Sequence, residues 1–203
     1  MKYKIHSYRH GEIILHEATF LPIYNEVLSV LDGISEQDLI DRHNSLTGSK
    51  MSLSTAINQL LKERFIGLNW QEESPIFQDT DYESEKHWRL DFAKVPLSIE
   101  VAFNHGEAIA WNLLKPVLAS ELNHVQKAIQ TEIGIVIVAT KAMKEAGAFD
   151  GAVGEYEKFL RYLKPLSSVL TVPMVIIGLE APETFKVQKV LTDGRNSGNI
   201  VML

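Results

Sequence analysis

Cysteine does not occur in the 203 residues. Disulfides, thiolate zinc sites and cysteine nucleophiles are thereby excluded. Long apolar runs are missing as well: Ile133–Ala139, IGIVIVA, falls far short of the ~20 residues a membrane helix needs. Met1 leads into KYKIHSYRHGE without an apolar stretch, so no secretory signal or membrane anchor is expected and the expected location is the cytoplasm. G-x-G-x-x-G, Walker A and G-x-S-x-G patterns are absent, which removes the phosphate-cradling loops and the serine nucleophile elbow. Basic charge is not in excess: 20 Lys and Arg against 26 Asp and Glu leave a net charge of −6 and a pI near 5.6. That is not the footprint of a protein that coats nucleic acid without regard to sequence. A local basic cleft is still enough to meet phosphates. DNA binding by this chain would then depend on a divalent ion to offset the acids in that cleft.

What is present is the make-up of an ordinary globular protein, 45% hydrophobic and 23% charged. The length suits one domain over residues 1–203. Lys2–Tyr8 alternates as a first strand, and residues 19–31 carry Phe20, Ile23, Val27, Leu28 and Leu31 at helical spacing. Ser35 with Asp38 starts a short helix. A polar loop, NSLTGSK, leads to a helix over 52–65, after which Trp70 is expected in the core. Residues 106–130 read as one long helix that Pro116 should kink or split. It carries Glu121 and His124 at a ligand-like spacing with no second copy of the pattern. Ile133–Ala139 and Pro173–Leu179 are apolar almost throughout, as strands buried on both faces are. A helix capped by Thr140, a glycine-bearing loop over 148–154 and a helix over 155–163 separate them. The tail suits a pair of edge strands with a turn at Asp193–Gly198. The order predicts an α/β fold, a mixed central β-sheet sandwiched by helices.

Trp88–His105, WRLDFAKVPLSIEVAFNH, reads as two strands joined by a turn at Lys94–Pro96. Strand side chains alternate faces, so Glu100, Ala102 and Asn104 share one face while Ile99, Val101 and Phe103 share the other. Folding the strands together can bring Asp91 close to Glu100. Two acids flanked by apolar residues are costly unless a positive group lies between them. Mg²⁺ fits, being held by one or two carboxylates and substrate phosphates. The same spacing also suits a plain hairpin with solvated acids. Glu73, with Glu72, follows Trp70 and offers a further acid, or else a solvated loop end.

These residues, taken in order, resemble the BglII/BstYI group of type II restriction endonucleases, within the PD-(D/E)XK nuclease superfamily. The resemblance runs through Tyr8-Arg9-His10-Gly11, Leu21–Glu26, Ala56-Ile57-Asn58 and Trp70 with its trailing acids. It continues through Asp91 and Glu100 with eight residues between them, Glu155-Tyr156-Glu157 and Val172-Pro173 to Leu179. The resemblance implies a restriction-endonuclease-like fold and a homodimer that cuts both strands of a short palindromic site in double-stranded DNA, with a GATC core. It implies Asp91 and Glu100 as Mg²⁺ ligands; Glu73, from its place after Trp70, is a further candidate ligand. DNA contacts would come from Asn104, His105 and Asp150, with Lys141, Lys144 and Lys158 toward phosphates. A cognate DNA methyltransferase encoded nearby is the implied partner. The third family position, Gln in such relatives and Lys in most of the superfamily, is Ala102 here. Alanine can neither orient nor deprotonate a water. Compensation by Asn104, Glu107, Lys94 or Glu73, an engineered inactive variant, or a chain that binds DNA without cutting are the alternatives this leaves open.

Overall fold

The computed structural model describes every residue except 47–50, 80–81, 83–84, 122–124 and 193–194. Part of the expected loop at 44–50, His124 of the Glu121–His124 spacing and the start of the expected turn at Asp193 lie outside the described residues.

Six strands form one sheet: β1 (Tyr3–Tyr8), β2 (Gln71–Pro75), β3 (Arg89–Lys94), β4 (Leu97–Val101), β5 (Ile133–Ala139) and β6 (Met174–Leu179), in the order β1-β6-β5-β4-β3-β2. The central pairs β4–β5 and β5–β6 are parallel, and the outer pairs are antiparallel. Every residue of β5 and β6 is buried, as their unbroken apolar runs predict. Alternation divides β5 between two cores. Ile133, Ile135 and Ile137 join a cluster with α2 (Leu21–Gly33), α4 (Ser54–Gly67) and the hairpin β7 (Phe185–Thr192)–β8 (Arg195–Met202). Val136 and Val138 join another with α5 (Ile109–Ser120) and α7 (Tyr156–Leu163). Sheet between helices is the sandwich expected.

Local chemistry sets the element ends. Ser35 opens α3 (Glu36–Ser45) with a capping box: the Asp38 N–H donates to Ser35 Oγ at 3.0 Å, and the Ser35 N–H donates to Asp38 Oδ2 at 2.8 Å. Thr140 Oγ1 accepts from the Met143 N–H to start α6 (Lys141–Ala146). Five residues, Gly11–Leu15, make up α1.

Two expectations fail. The long helix over 106–130 is α5 alone, which stops at Ser120, where the Gln130 amide donates to the Ser120 carbonyl at 2.9 Å. A side chain from beyond the end thus serves a carbonyl the helix leaves orphaned. Nor does Pro116 split the helix. Its buried ring lies against β5 at Gly134, where a Cβ would come within 2.4 Å of the proline's own Cβ. Gly134 is glycine because the helix lies on the strand there. A strand not expected from the sequence, β2, extends the sheet beyond β3.

Candidate active site

Three adjacent strands line up the acids. The β3–β4 register pairs Phe92 with Ile99, so the next step sets Asp91 beside Glu100. The β2–β3 register pairs Glu72 with Phe92 and Ser74 with Leu90, which sets Glu73 beside Asp91. Glu73 takes a left-handed backbone at φ 46° and is exposed. It lines a cleft of about 180 Å³ together with Asp91, Glu72, Asn58, Lys62, Phe92 and Val101. Among the described residues no three His, Cys, Asp or Glu side chains converge on one point. The close acidic pair is therefore Asp91 and Glu100.

Both are held by local structure. The Val101 N–H donates to Asp91 Oδ2 at 2.6 Å. Glu100 is 1% exposed, and its Oε2 is in contact with Lys115 Nζ. Oε1 is buried without a hydrogen-bond partner among the described residues. Burial, then repulsion from Asp91, pushes the Glu100 carboxyl up to about 8 against the pull of Lys115. Burial likewise raises Asp91, with the Val101 N–H and Lys115 opposing and Glu73 adding to the rise. A half-buried carboxylate repelling a buried one that has an orphan oxygen fits a hard divalent cation. Such an ion takes one or two carboxylates and leaves its other positions to water and phosphate oxygens.

Ala102 continues the Glu100 face of β4 but ends among apolar neighbours, in the same buried cluster as Ile109, Leu113 and Val117 of α5. Of the side chains weighed in its place, Lys94 is committed elsewhere, donating to both Glu26 carboxylate oxygens and the Leu68 carbonyl at 2.8–2.9 Å. Asn104 exchanges amide hydrogen bonds with buried Asn112. Glu107 is exposed in the short turn before α5.

The two segments expected to read DNA lie side by side. The Gly154 N–H donates to the Asn104 carbonyl, the Gly106 N–H donates to the Ala152 carbonyl at 2.7 Å, and His105 bridges to Val153. Lys144 braces this loop, donating to the Gly151 and Val153 carbonyls at 2.7 and 2.8 Å. Asp150 Oδ1 accepts from the Ala152 N–H. The Lys158 ammonium is seated over Gly106, while exposed Lys141 lies 4.0 Å from Glu145. The cationic neighbours Lys115 and Lys62 escaped the sequence reading. A usable signal existed for the first: Lys115 is the one charged residue of α5, IAWNLLKPVLAS.

A mixed sheet between helices, with an acidic pair across neighbouring strands, is a restriction-endonuclease-like fold. Two crystal structures of restriction endonuclease BglII align over all of this chain and all of theirs. That of BglII complexed with a DNA 16-mer has 21% identity and a TM-score of 0.69. That of free BglII has 19% identity and a TM-score of 0.59. No curated protein matches the chain. Residues 3–179 match the family profile of restriction endonuclease BglII/BglIII. The chain belongs to that family of site-specific DNA nucleases.

Proposed function

We propose that this chain, a single domain over 1–203, is a Mg²⁺-dependent type II restriction endonuclease that works as a homodimer on a short palindrome with a GATC core. The observation that carries the metal-dependent chemistry is half-buried Asp91 beside buried Glu100 with its orphan Oε1. Asp91 and Glu100 would hold the ion, and Glu73 lies at the cleft that Asp91 lines. When bound, Mg²⁺ supplies Lewis acidity toward the phosphate and toward water. The chain's own residues orient and exclude. Val101 fixes the Asp91 carboxylate, the apolar faces of β3 and β4 keep bulk water from Glu100, and Lys144 holds the 150–153 loop in shape for base contact. The loop brought beside Asn104 and His105 supports base reading from those two segments, with Asp150 at the loop tip and Lys158 and Lys141 toward phosphates. A two-fold dimer reads a palindrome because each protomer presents the same residues to its half-site. BglII being solved with DNA supports duplex DNA as the partner.

Burial of Ala102 in an apolar cluster favours a second reading, a catalytically impaired protein that binds DNA without cutting it. The test uses unmethylated duplex oligonucleotides with GATC in varied flanks. Cleavage in Mg²⁺ at one flank, with binding but no cleavage in Ca²⁺, is expected. Binding without cleavage in both metals supports the second reading, and cleavage unaffected by EDTA overturns the first.

A further inference from the structure

Hydrolysis between two carboxylates needs positive charge close by, because both the attacked phosphate and the pair itself are negative. β4 does not supply it beyond Glu100: Ala102 is 1% exposed and packed with α5. The helix that covers Ala102 carries one charge, and that charge meets the site. Lys115 is 12% exposed along its side chain, touches Glu100 Oε2 and donates to the Arg89 carbonyl at 3.0 Å. Glu100 and Ala102 share a face of β4, so Lys115 enters the site from the side that a long residue at 102 would use.

We propose that Lys115, delivered by α5, supplies the positive side chain at the Asp91–Glu100 site and acts there on the attacking water and the scissile phosphate. The assignment rests on the nuclease reading above. An ammonium has three N–H donors. It can keep Glu100 and the Arg89 carbonyl while bonding a water. In the reaction the water oxygen joins phosphorus and the P–O3′ bond breaks. One water proton ends on the departing 3′-oxygen, and the remaining O–H stays with the 5′-phosphate. Lys115 keeps its proton throughout and stands beside the charge that grows on the phosphoryl oxygens. Small Ala102 and Lys115 are then one arrangement: the alanine lets α5 close onto β4, and closure carries the lysine to Glu100. A buried ion pair adds little stability over apolar packing of equal volume, so stability alone is a poor reason for the lysine. Lys62, the cation that lines the Asp91 cleft, is 54% exposed and paired with Glu72.

The experiment compares wild type with Lys115→Met, Lys115→Gln, Lys115→Arg and Lys62→Met. Three properties are read: single-turnover cleavage in Mg²⁺, duplex binding in Ca²⁺, and Ca²⁺ affinity of the free protein by calorimetry. Lys115→Met and Lys115→Gln should lose cleavage on the order of 10²–10³-fold, the loss typical of one preorganised donor. Lys115→Arg should retain more than either. Duplex binding in Ca²⁺ should stay within about threefold, as expected when only the reaction is lost. Free-protein Ca²⁺ affinity should rise roughly tenfold in the Met variant, because the charge competing for Glu100 is gone. A purely structural lysine would move that affinity in the same way but leave single-turnover cleavage on saturated duplex at the wild-type rate. Wild-type cleavage rates in Lys115→Met, or in Lys115→Gln where the Met variant does not fold, overturn the assignment. So does loss confined to Lys62→Met. In both cases loss of cutting in Asp91→Asn leaves the nuclease reading standing. Wild-type protein that neither cuts nor binds overturns both.

Discussion

Replacing Glu100 by Gln should stabilise the metal-free protein, and the gain should grow with pH. Glu100 is buried beside Asp91, and its carboxyl moves from 4.5 to about 8 on folding. The folded protein therefore keeps a proton that the unfolded chain has already released between those values. Stability is lost wherever the unfolded state binds fewer protons as pH rises. The sign is that of a raised carboxyl: the penalty is small near pH 4.5, grows through the window and levels off above pH 8. At 1.36 kcal/mol per pKa unit it reaches, as an upper figure, about 1 kcal/mol at pH 5 and about 3 kcal/mol at pH 7. Glutamine has the shape of the protonated acid and does not titrate, so Glu100→Gln removes the penalty. Urea unfolding in EDTA at pH 5 and pH 7 measures it. Wild type should lose stability across that interval relative to the variant, and a saturating divalent ion should restore it to wild type only. A variant with the wild-type pH slope, or one less stable than wild type at pH 7, would refute the reasoning.

Ser35→Ala removes one half of the capping box on α3 and should cost about 1 kcal/mol in thermal unfolding while leaving cleavage unchanged. Lys144→Met removes two contacts that brace the loop at 150–153. Its specific DNA affinity should fall toward its non-specific affinity in competition gel shifts, with the cleavage step intact on saturated substrate. Gly134→Ala places a Cβ against the Pro116 ring and should cost about 1–3 kcal/mol by overpacking, read as a lowered urea midpoint.

Strands β5 and β6 were legible because burial on both faces demands an apolar run, and little else in a short segment produces one. The α3 cap was legible because its chemistry lies within four residues. The end of α5 was not, since apolar spacing continues past Ser120 and the Gln130 amide that serves its last carbonyls arrives from ten residues on. Strand β2, QEESP, has too little apolar character to announce itself and is held by pairing with β3. The acidic pair could be placed because a hairpin converts spacing into register. Lys115 could be singled out as the one charge of its helix but not placed, because its distance from Glu100 is set by the packing of α5 on β4, a tertiary fact that no local spacing encodes.

The most direct test of the account is digestion of unmethylated plasmid by the purified protein in Mg²⁺, beside Asp91→Asn and an EDTA control, with the cut ends sequenced. Discrete fragments sharing one palindrome, bearing 5′-phosphates, and lost in both controls are the predicted result. Intact plasmid, or the same fragments from Asp91→Asn, would contradict it.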